Sequence, residues 1–250
     1  MRPPPSPRKA DRRHLQVSVL IDVDVGLMRA GVASTGQAVA LAEHIAGYPS
    51  LTLAGVQGYG GHWQHIAGYP TRRDAVRAGM LRLTAVVTAL REAGHRVELV
   101  TGGGTGTVAA DLERDVLTEL QPGSYVFKDA QYADALADDA DGAFGTSLRV
   151  SSQVVSVNAA SIVTVDAGLK AFATEGPAPR PAPGRFAGSA YAFFGDEHGA
   201  VSRPPGIEVR LGERVELVTP HCDPTVDRYD SYHVVSVTAI IAIDAARASR

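Results

Sequence analysis

The chain is short of cysteine, of lysine and of positive charge, and each shortage removes a class of function. Cys222 is the one cysteine, which excludes an intrachain disulfide and any cysteine-rich zinc module. There are three lysines, Lys9, Lys128 and Lys170. The basic side is therefore almost all arginine, and chemistry that needs a lysine amine has few places to occur. Lys+Arg number 24 against 27 Asp+Glu, for a net charge of -3 and a pI of about 6.2. This argues against a nucleic-acid partner or a membrane surface, because phosphate arrays call for a basic surplus. The longest apolar run, around Val17–Val25, is too short and too acidic to span a bilayer. The opening MRPPPSPRKADRR has basic residues but no apolar stretch, so it is not a secretory signal. A reduced cytoplasm is the expected location.

What is present suits a packed core. Of 250 residues, 45% are hydrophobic and 20% charged, enough apolar surface for one large domain or two small ones. Residues 1–16 form a Pro/Arg-rich tail expected to be disordered. From Val17 to about residue 145 the chain reads as strand, loop and helix in repetition. Strands are expected at Val17–Asp24, Leu51–Gln57, Arg96–Val100 and Ser124–Phe127. Helices are expected at Gln37–Ile45, capped by Thr35, at Arg72–Ala93, closed by Gly94, and at Val108–Leu112. This predicts an α/β unit with a parallel sheet and ligand-bearing loops at the C-terminal strand ends. Residues 146–250 read as an antiparallel β domain, with strands near Arg149–Ala160, Ser161–Val165, Arg214–Thr219 and Tyr232–Ile243 around a Pro-rich loop at 175–184. A closed barrel needs eight strand–helix units, and about four are present. The sheet is thus open or part of a barrel; an open sheet would leave the edge at Val17–Asp24 unpaired, an aggregation hazard.

Five segments carry chemical potential. In TPHCDPTVD, His221 and Asp223 lie two apart on what reads as extended chain, so they share a face and suit a divalent ion completed by waters. The plainer alternative is a hydrogen-bonded His–Asp pair; Cys222 points away and is buried. TGGGTGT at 101–107 lies between a strand and a helix. It reads equally as a phosphate cradle or a flexible turn, until its place after a parallel strand favours the cradle. Arg29, beyond the first strand, suits an anionic oxygen, and otherwise is a surface arginine. Tyr59, His62 and His65 in QGYGGHWQH lie on the next loop, where Tyr59 suits a ring and a histidine is more often structural. GDEHG at 195–199 reads as a polar turn. Together these loops suit a phosphorylated aromatic ligand plus a metal.

The strings IDVDVGLMRAGV, LAGVQGYGGHWQHI, TGGGTGT, ELQPGSYVFKDAQY, VDAGLKA, DEHG and PHCDPTVD, followed by YHVV, occur in this order from about Val17 to Ile243. In them the chain resembles the D-threonine aldolase and D-serine dehydratase family, pyridoxal-phosphate enzymes of the alanine-racemase-like fold. The resemblance implies a partial (β/α) TIM-type barrel followed by a C-terminal antiparallel β domain. It implies that Arg29 meets the cofactor's phenolic oxygen, that Tyr59 lies beside its ring, and that Thr101, Gly103, Gly104 and Thr105 belong to the phosphate loop. By the same resemblance His62 or His65 assists proton transfer, and His221 and Asp223 hold a divalent metal, manganese or zinc. The implied reaction is retro-aldol cleavage of a D-3-hydroxy amino acid to glycine and an aldehyde by a homodimer. PHCDPTV favours this over the ammonia-lyase chemistry of the dehydratase branch. Three departures stand against full competence. The family's Schiff-base lysine and first barrel strands precede Val17 and have no counterpart here, and Lys128 reads as a solvent-facing strand residue. Gly60 stands where an acidic residue is usual, and Asp227 where asparagine is usual. The expected reading is the C-terminal two-thirds of a lyase that binds cofactor weakly. A naturally short, non-catalytic metal- or phosphate-binding relative is the alternative, and a metal hydrolase on two protein ligands is a weaker third.

Overall fold

A computed structural model describes residues 15–137, 144–235 and 240–244. The expected tail falls largely on residues 1–14, which with Lys9 lie outside the described residues. Among the described residues two compact units emerge, one of 15–123 with 135–137, the other of 124–134 with 144–235 and 240–244.

In the first unit, strands β1 (Val17–Asp22), β2 (Leu51–Gly58), β3 (Leu99–Gly102) and β4 (Glu119–Leu120) form a parallel sheet in sequence order. Helices α1 (Thr35–Ala46), α2 (Tyr69–Glu92) and α3 (Val108–Leu112) connect them. Among the described residues β1 pairs with β2 alone. The sheet is close-drawn at Gly55, where a Cβ would lie 1.8 Å from the Leu99 carbonyl oxygen. Ile21, Val23, Val56 and Val100 of the sheet pack against Val76, Met80, Leu83 and Leu90 of α2. That contact of apolar sheet face and helix stripe is the main stabilising force in this unit.

Several boundaries differ from the sequence reading. The cap of α1 is Ser34, whose hydroxyl accepts from the Gln37 N–H at 3.2 Å; Thr35 is inside the helix. The α2 helix starts earlier, at Tyr69, because Pro70 in the first turn has no N–H to leave unpaired. The strand expected at Ser124–Phe127 is a 3-10 turn, Ser124–Val126. The fourth strand is instead Glu119–Leu120, flanked by Thr118 N–H to Val100 O and Gln121 N–H to Gly102 O bonds. Pro122 and Gly123 end the ladder before the expected segment begins. Lys128 is correspondingly not a strand residue: it is half-buried, with a φ of 44°.

The second unit is antiparallel. Strands β5 (Arg149–Ser156), β6 (Ile162–Val165), β7 (Arg180–Pro181), β8 (Tyr191–Phe193), β9 (Gly199–Ser202) and β10 (Arg214–Val218) form one sheet, ordered β7-β10-β5-β6-β9-β8. The Pro-rich loop thus contributes an edge strand, where proline is tolerated. The single strand expected over Tyr232–Ile243 is a pair, β11 (Ser231–Val235) and β12 (Ile240–Asp244), with 236–239 outside the described residues. Two short helices complete the unit, α4 (Ala130–Ala135) and α5 (Cys222–Val226). The core gathers Val154, Val163, Val165, Phe172, Val201, Val215 and Leu217. Phe172, Tyr191 and Phe193 meet edge to face, with centroids 5.4 to 6.3 Å apart, each such pair adding roughly 0.5–1.5 kcal/mol.

Candidate functional site

The candidate residues form two clusters, one in each unit. In the parallel unit they sit on loops leaving the C-terminal ends of β1, β2 and β3. The first loop is pinned at its base by a Val23–Val32 bridge with hydrogen bonds from Asp24 N to Val32 O and Val32 N to Asp22 O. The Asp24 carboxylate accepts the Gly26 and Met28 N–H groups, both at 2.9 Å. Those N–H groups, Met28 first, hold its carboxyl below the usual carboxylate range. Thus braced, the loop presents Arg29 at the surface, its guanidinium 5.8 Å from the centroid of the Tyr59 ring. The structure brings these two candidates together as a cation over an aromatic face.

The 3-10 turn Gly61–Trp63 follows Tyr59. His62 is exposed and lies against the Trp63 ring at 5.0 Å; His65 is half-buried. Below them Thr101 is buried, donating to Glu119 Oε1 at 2.8 Å and accepting from Gln121 Nε2 at 3.0 Å. Gln121 also reaches Gln57, and Gln57 reaches Asp22, so polar side chains link all four strands. Thr101 serves this chain of bonds with its hydroxyl.

All seven residues of the 101–107 loop are buried. Gly103 has a φ of +68°, and its added Cβ would lie 2.3 Å from Asp111 Oδ2. The Gly104 N–H is donated to Thr107 Oγ1 at 3.0 Å, and the Gly106 N–H to Gln64 Oε1 at 2.9 Å. Asp111 receives the Thr107 hydroxyl at 2.6 Å, and burial raises its carboxyl from 3.8 to about 6. The glycines therefore face buried polar side chains of the protein itself. Gln64, Thr107 and Asp111 were not legible as site residues. Thr107 and Asp111 show only a four-residue spacing at a helix start, and the contacts of Gln64 with the 101–107 loop lie 42 and 43 residues away.

In the antiparallel unit His221 ends an extended segment, and Asp223 lies in the first turn of α5. The expectation that both lie on extended chain is corrected: the backbone turns helical at Cys222, where Pro224 suits a helix start. The turn still brings the groups together, His221 Nε2 and Asp223 Oδ2 being 3.5 Å apart. The Asp223 carboxylate raises His221 above the usual imidazole range, and His221 draws Asp223 below the usual carboxylate range. Ser124 Oγ donates to both Asp223 oxygens, at 3.0 and 3.1 Å. Fully buried Asp129 accepts the Cys222 N–H at 2.7 Å and the Tyr132 N–H at 2.8 Å, fixing the turn to α4. Ser124 and Asp129 are the residues missed here; reading 124–127 as a strand concealed Ser124, and Asp129 has a partner, Cys222, 93 residues away. Cys222 is buried, and burial pushes its thiol well above its usual range.

Whether these clusters fit the implied groups follows from their chemistry. Arg29, Tyr59 and the 101–107 loop offer a cation, a ring and a glycine-rich turn, which suit non-covalent holding of a phosphorylated ring. Covalent attachment does not fit as well: Lys170 pairs with Glu197 at the surface of the other unit, and no described residue of the parallel unit is a lysine. The His221–Asp223 pair supplies two donors, and buried Thr219 Oγ1 nearby in sequence has no hydrogen-bond partner among the described residues. No group of three or more His, Cys, Asp or Glu suited to a metal occurs among the described residues. GDEHG is a structural turn: Gly195 O and Asp196 O accept the Leu169 and Lys170 N–H groups.

Comparison with known proteins fits this geometry. Residues 7–131 match the alanine racemase N-terminal domain, and 147–235 a putative serine dehydratase domain. A D-threonine aldolase from Arthrobacter sp is 41% identical over 229 residues, 88% of this chain and 58% of the relative. A 3-hydroxy-D-aspartate aldolase from Paracoccus denitrificans (strain Pd 1222) is 33% identical over 89% of this chain and 58% of its own length. The crystal structure of D-threonine aldolase from Filomicrobium marinum superposes with a TM-score of 0.88 at 31% identity, covering 94% of this chain and 64% of that one. The chain thus spans 58% of the length of the curated relatives it matches. With both domains matched in order and relatives above 30% identity over most of its length, the chain belongs to the D-threonine aldolase and D-serine dehydratase-like family of the alanine-racemase-like fold.

Proposed function

We propose that the chain carries the machinery of a pyridoxal-phosphate- and divalent-metal-dependent lyase, one that cleaves D-3-hydroxy amino acids to glycine and an aldehyde. The observation that carries this reading is the His221–Asp223 pair within a sequence 41% identical to a D-threonine aldolase. When bound, the cofactor supplies an electron sink and the metal polarises the substrate hydroxyl. Arg29 neutralises an anionic oxygen on the ring, Tyr59 flanks the ring, and Thr101, Gly103, Gly104 and Thr105 line the phosphate loop. His62, which is exposed, or half-buried His65 assists transfer of the hydroxyl proton. His221 and Asp223 hold manganese or zinc, and the raised basicity of His221 means a proton leaves when metal enters, so metal affinity rises with pH.

The test is purified chain with pyridoxal phosphate and Mn2+ or Zn2+, offered D- and L-threonine. Acetaldehyde and glycine from the D-isomer alone support the reading, as does their loss in His221→Ala. Release of ammonia and an oxo acid instead would assign the dehydratase branch, which the match at 147–235 favours. Metal or phosphate binding without turnover would assign a non-catalytic relative, favoured by the lysine-free described part of the parallel unit. A homodimer in the cytoplasm is part of the same proposal. Among the described residues no helix is long and apolar enough to cross a membrane.

A further inference from the structure

Gln64 is 1% exposed, yet it is a primary amide with four bonding positions to satisfy. Its Oε1 accepts the Gly106 N–H, and its Nε2 donates to Gly60 O and to Thr107 Oγ1, both at 3.3 Å. One side chain thus ties the loop after β2 to the loop after β3. Thr107 Oγ1 also accepts the Gly104 N–H. With both lone pairs taken, its own hydrogen points to Asp111 Oδ2 at 2.6 Å. The Gly104 carbonyl lies within reach of the same hydroxyl at 3.3 Å, but the shorter contact is to Asp111, so the set runs mainly from Gly104 and Gln64 through Thr107 to Asp111.

Gln64, by side chain and backbone, and Asp111 dictate the glycines. An added Cβ would lie 2.6 Å from Gln64 Oε1 at position 104, 2.0 Å from Gln64 O at 106, and 2.3 Å from Asp111 Oδ2 at 103. Contacts that short require a shift of buried groups. The loop's shape is therefore set from beneath, by the protein, before any ligand arrives.

We infer that Gln64, Thr107 and Asp111 are positioning residues that hold the 101–107 loop in its phosphate-binding form and lock it to the Tyr59 loop. This rests on the reading of 101–107 as a phosphate loop. The pre-formed shape spares a ligand the ordering cost of the loop. Thr107→Val keeps the volume and removes both the donor to Asp111 and the acceptor for Gly104 and Gln64.

Two measurements on the full chain test this. The first is equilibrium dialysis with pyridoxal 5'-phosphate and with pyridoxal. Thr107→Val is expected to weaken the phosphorylated form by at least about tenfold, since the variant loses the bonds to Gly104, Gln64 and Asp111 together, and to leave pyridoxal unchanged, while Thr107→Ser restores binding. Equal weakening of both ligands, or no weakening, overturns the positioning role. The second is amide hydrogen exchange on ligand-free chain. Thr107→Val is expected to speed exchange at 103–107 and at 59–61 together, with α1 unchanged and Thr107→Ser like wild type. Unchanged exchange at 59–61 overturns the lock. If wild type binds both ligands alike, the phosphate reading itself fails and the positioning role for phosphate with it, while the exchange arm still decides the lock.

Discussion

Asp111 shows what a single buried carboxyl does to this protein. Its folded value of about 6 against an ordinary 3.8 means the folded chain holds that proton more tightly than the unfolded one. The folded state is therefore favoured most below about pH 4, and the benefit is lost as pH rises through 6. The expected loss is about 3 kcal/mol across that window. Urea unfolding of wild type and Asp111→Asn from pH 4 to 8 checks it: the difference between their stabilities is expected to shrink or reverse in favour of the variant as pH rises. A constant difference contradicts the assignment. At this scale sequence was a partial guide. Arg29, Tyr59, His221 and Asp223 were weak singly and drew notice only as a set on strand-end loops and through the resemblance; the structure pairs Arg29 with Tyr59 and His221 with Asp223. Gln64 and Asp129 drew no notice, because a buried amide or carboxylate is recognised by its partners, and those lie on distant segments.

Elements were more legible than their ends. Alternating and helical apolar spacing located β1, β2, α1, α2 and β5 within a few residues, since burial on one face imposes that spacing. The short β4 and β7 have two residues each and no period to read. Tertiary packing also overrules helix propensity at Gly79, in the middle of α2. Alanine there gains about 1 kcal/mol of intrinsic preference. A Cβ, however, would lie 2.1 Å from the Trp63 ring and 2.9 Å from Val25 O. Gly79→Ala is thus expected to lower stability by roughly 1–3 kcal/mol, the usual cost of overpacking, as a lower urea midpoint with unchanged slope. A stabilised variant would show that the ring yields freely.

For the whole molecule, counting strand–helix units anticipated an open sheet or part of a barrel, because closure of a barrel is arithmetic, and the likeness to the alanine-racemase-like fold bears out the partial barrel. The change to antiparallel pairing followed from the loss of helices between strands. The open sheet makes a prediction about association. Among the described residues β1 has one neighbour, and Leu20 on it is 36% exposed. Light scattering is expected to show growing assemblies as concentration rises, and Leu20→Lys is expected to suppress them by charging the edge. Particles of constant size in wild type would refute this. A last consequence comes from Trp63, the only tryptophan in the chain. It is buried between Gly60 and Gly79 and touches His62. Selective excitation at long ultraviolet wavelengths therefore gives light from one known point in the 59–65 loop. A bound pyridoxal chromophore would drain that emission by energy transfer. The protein thus contains its own optical gauge of what enters that loop, with no dye to attach.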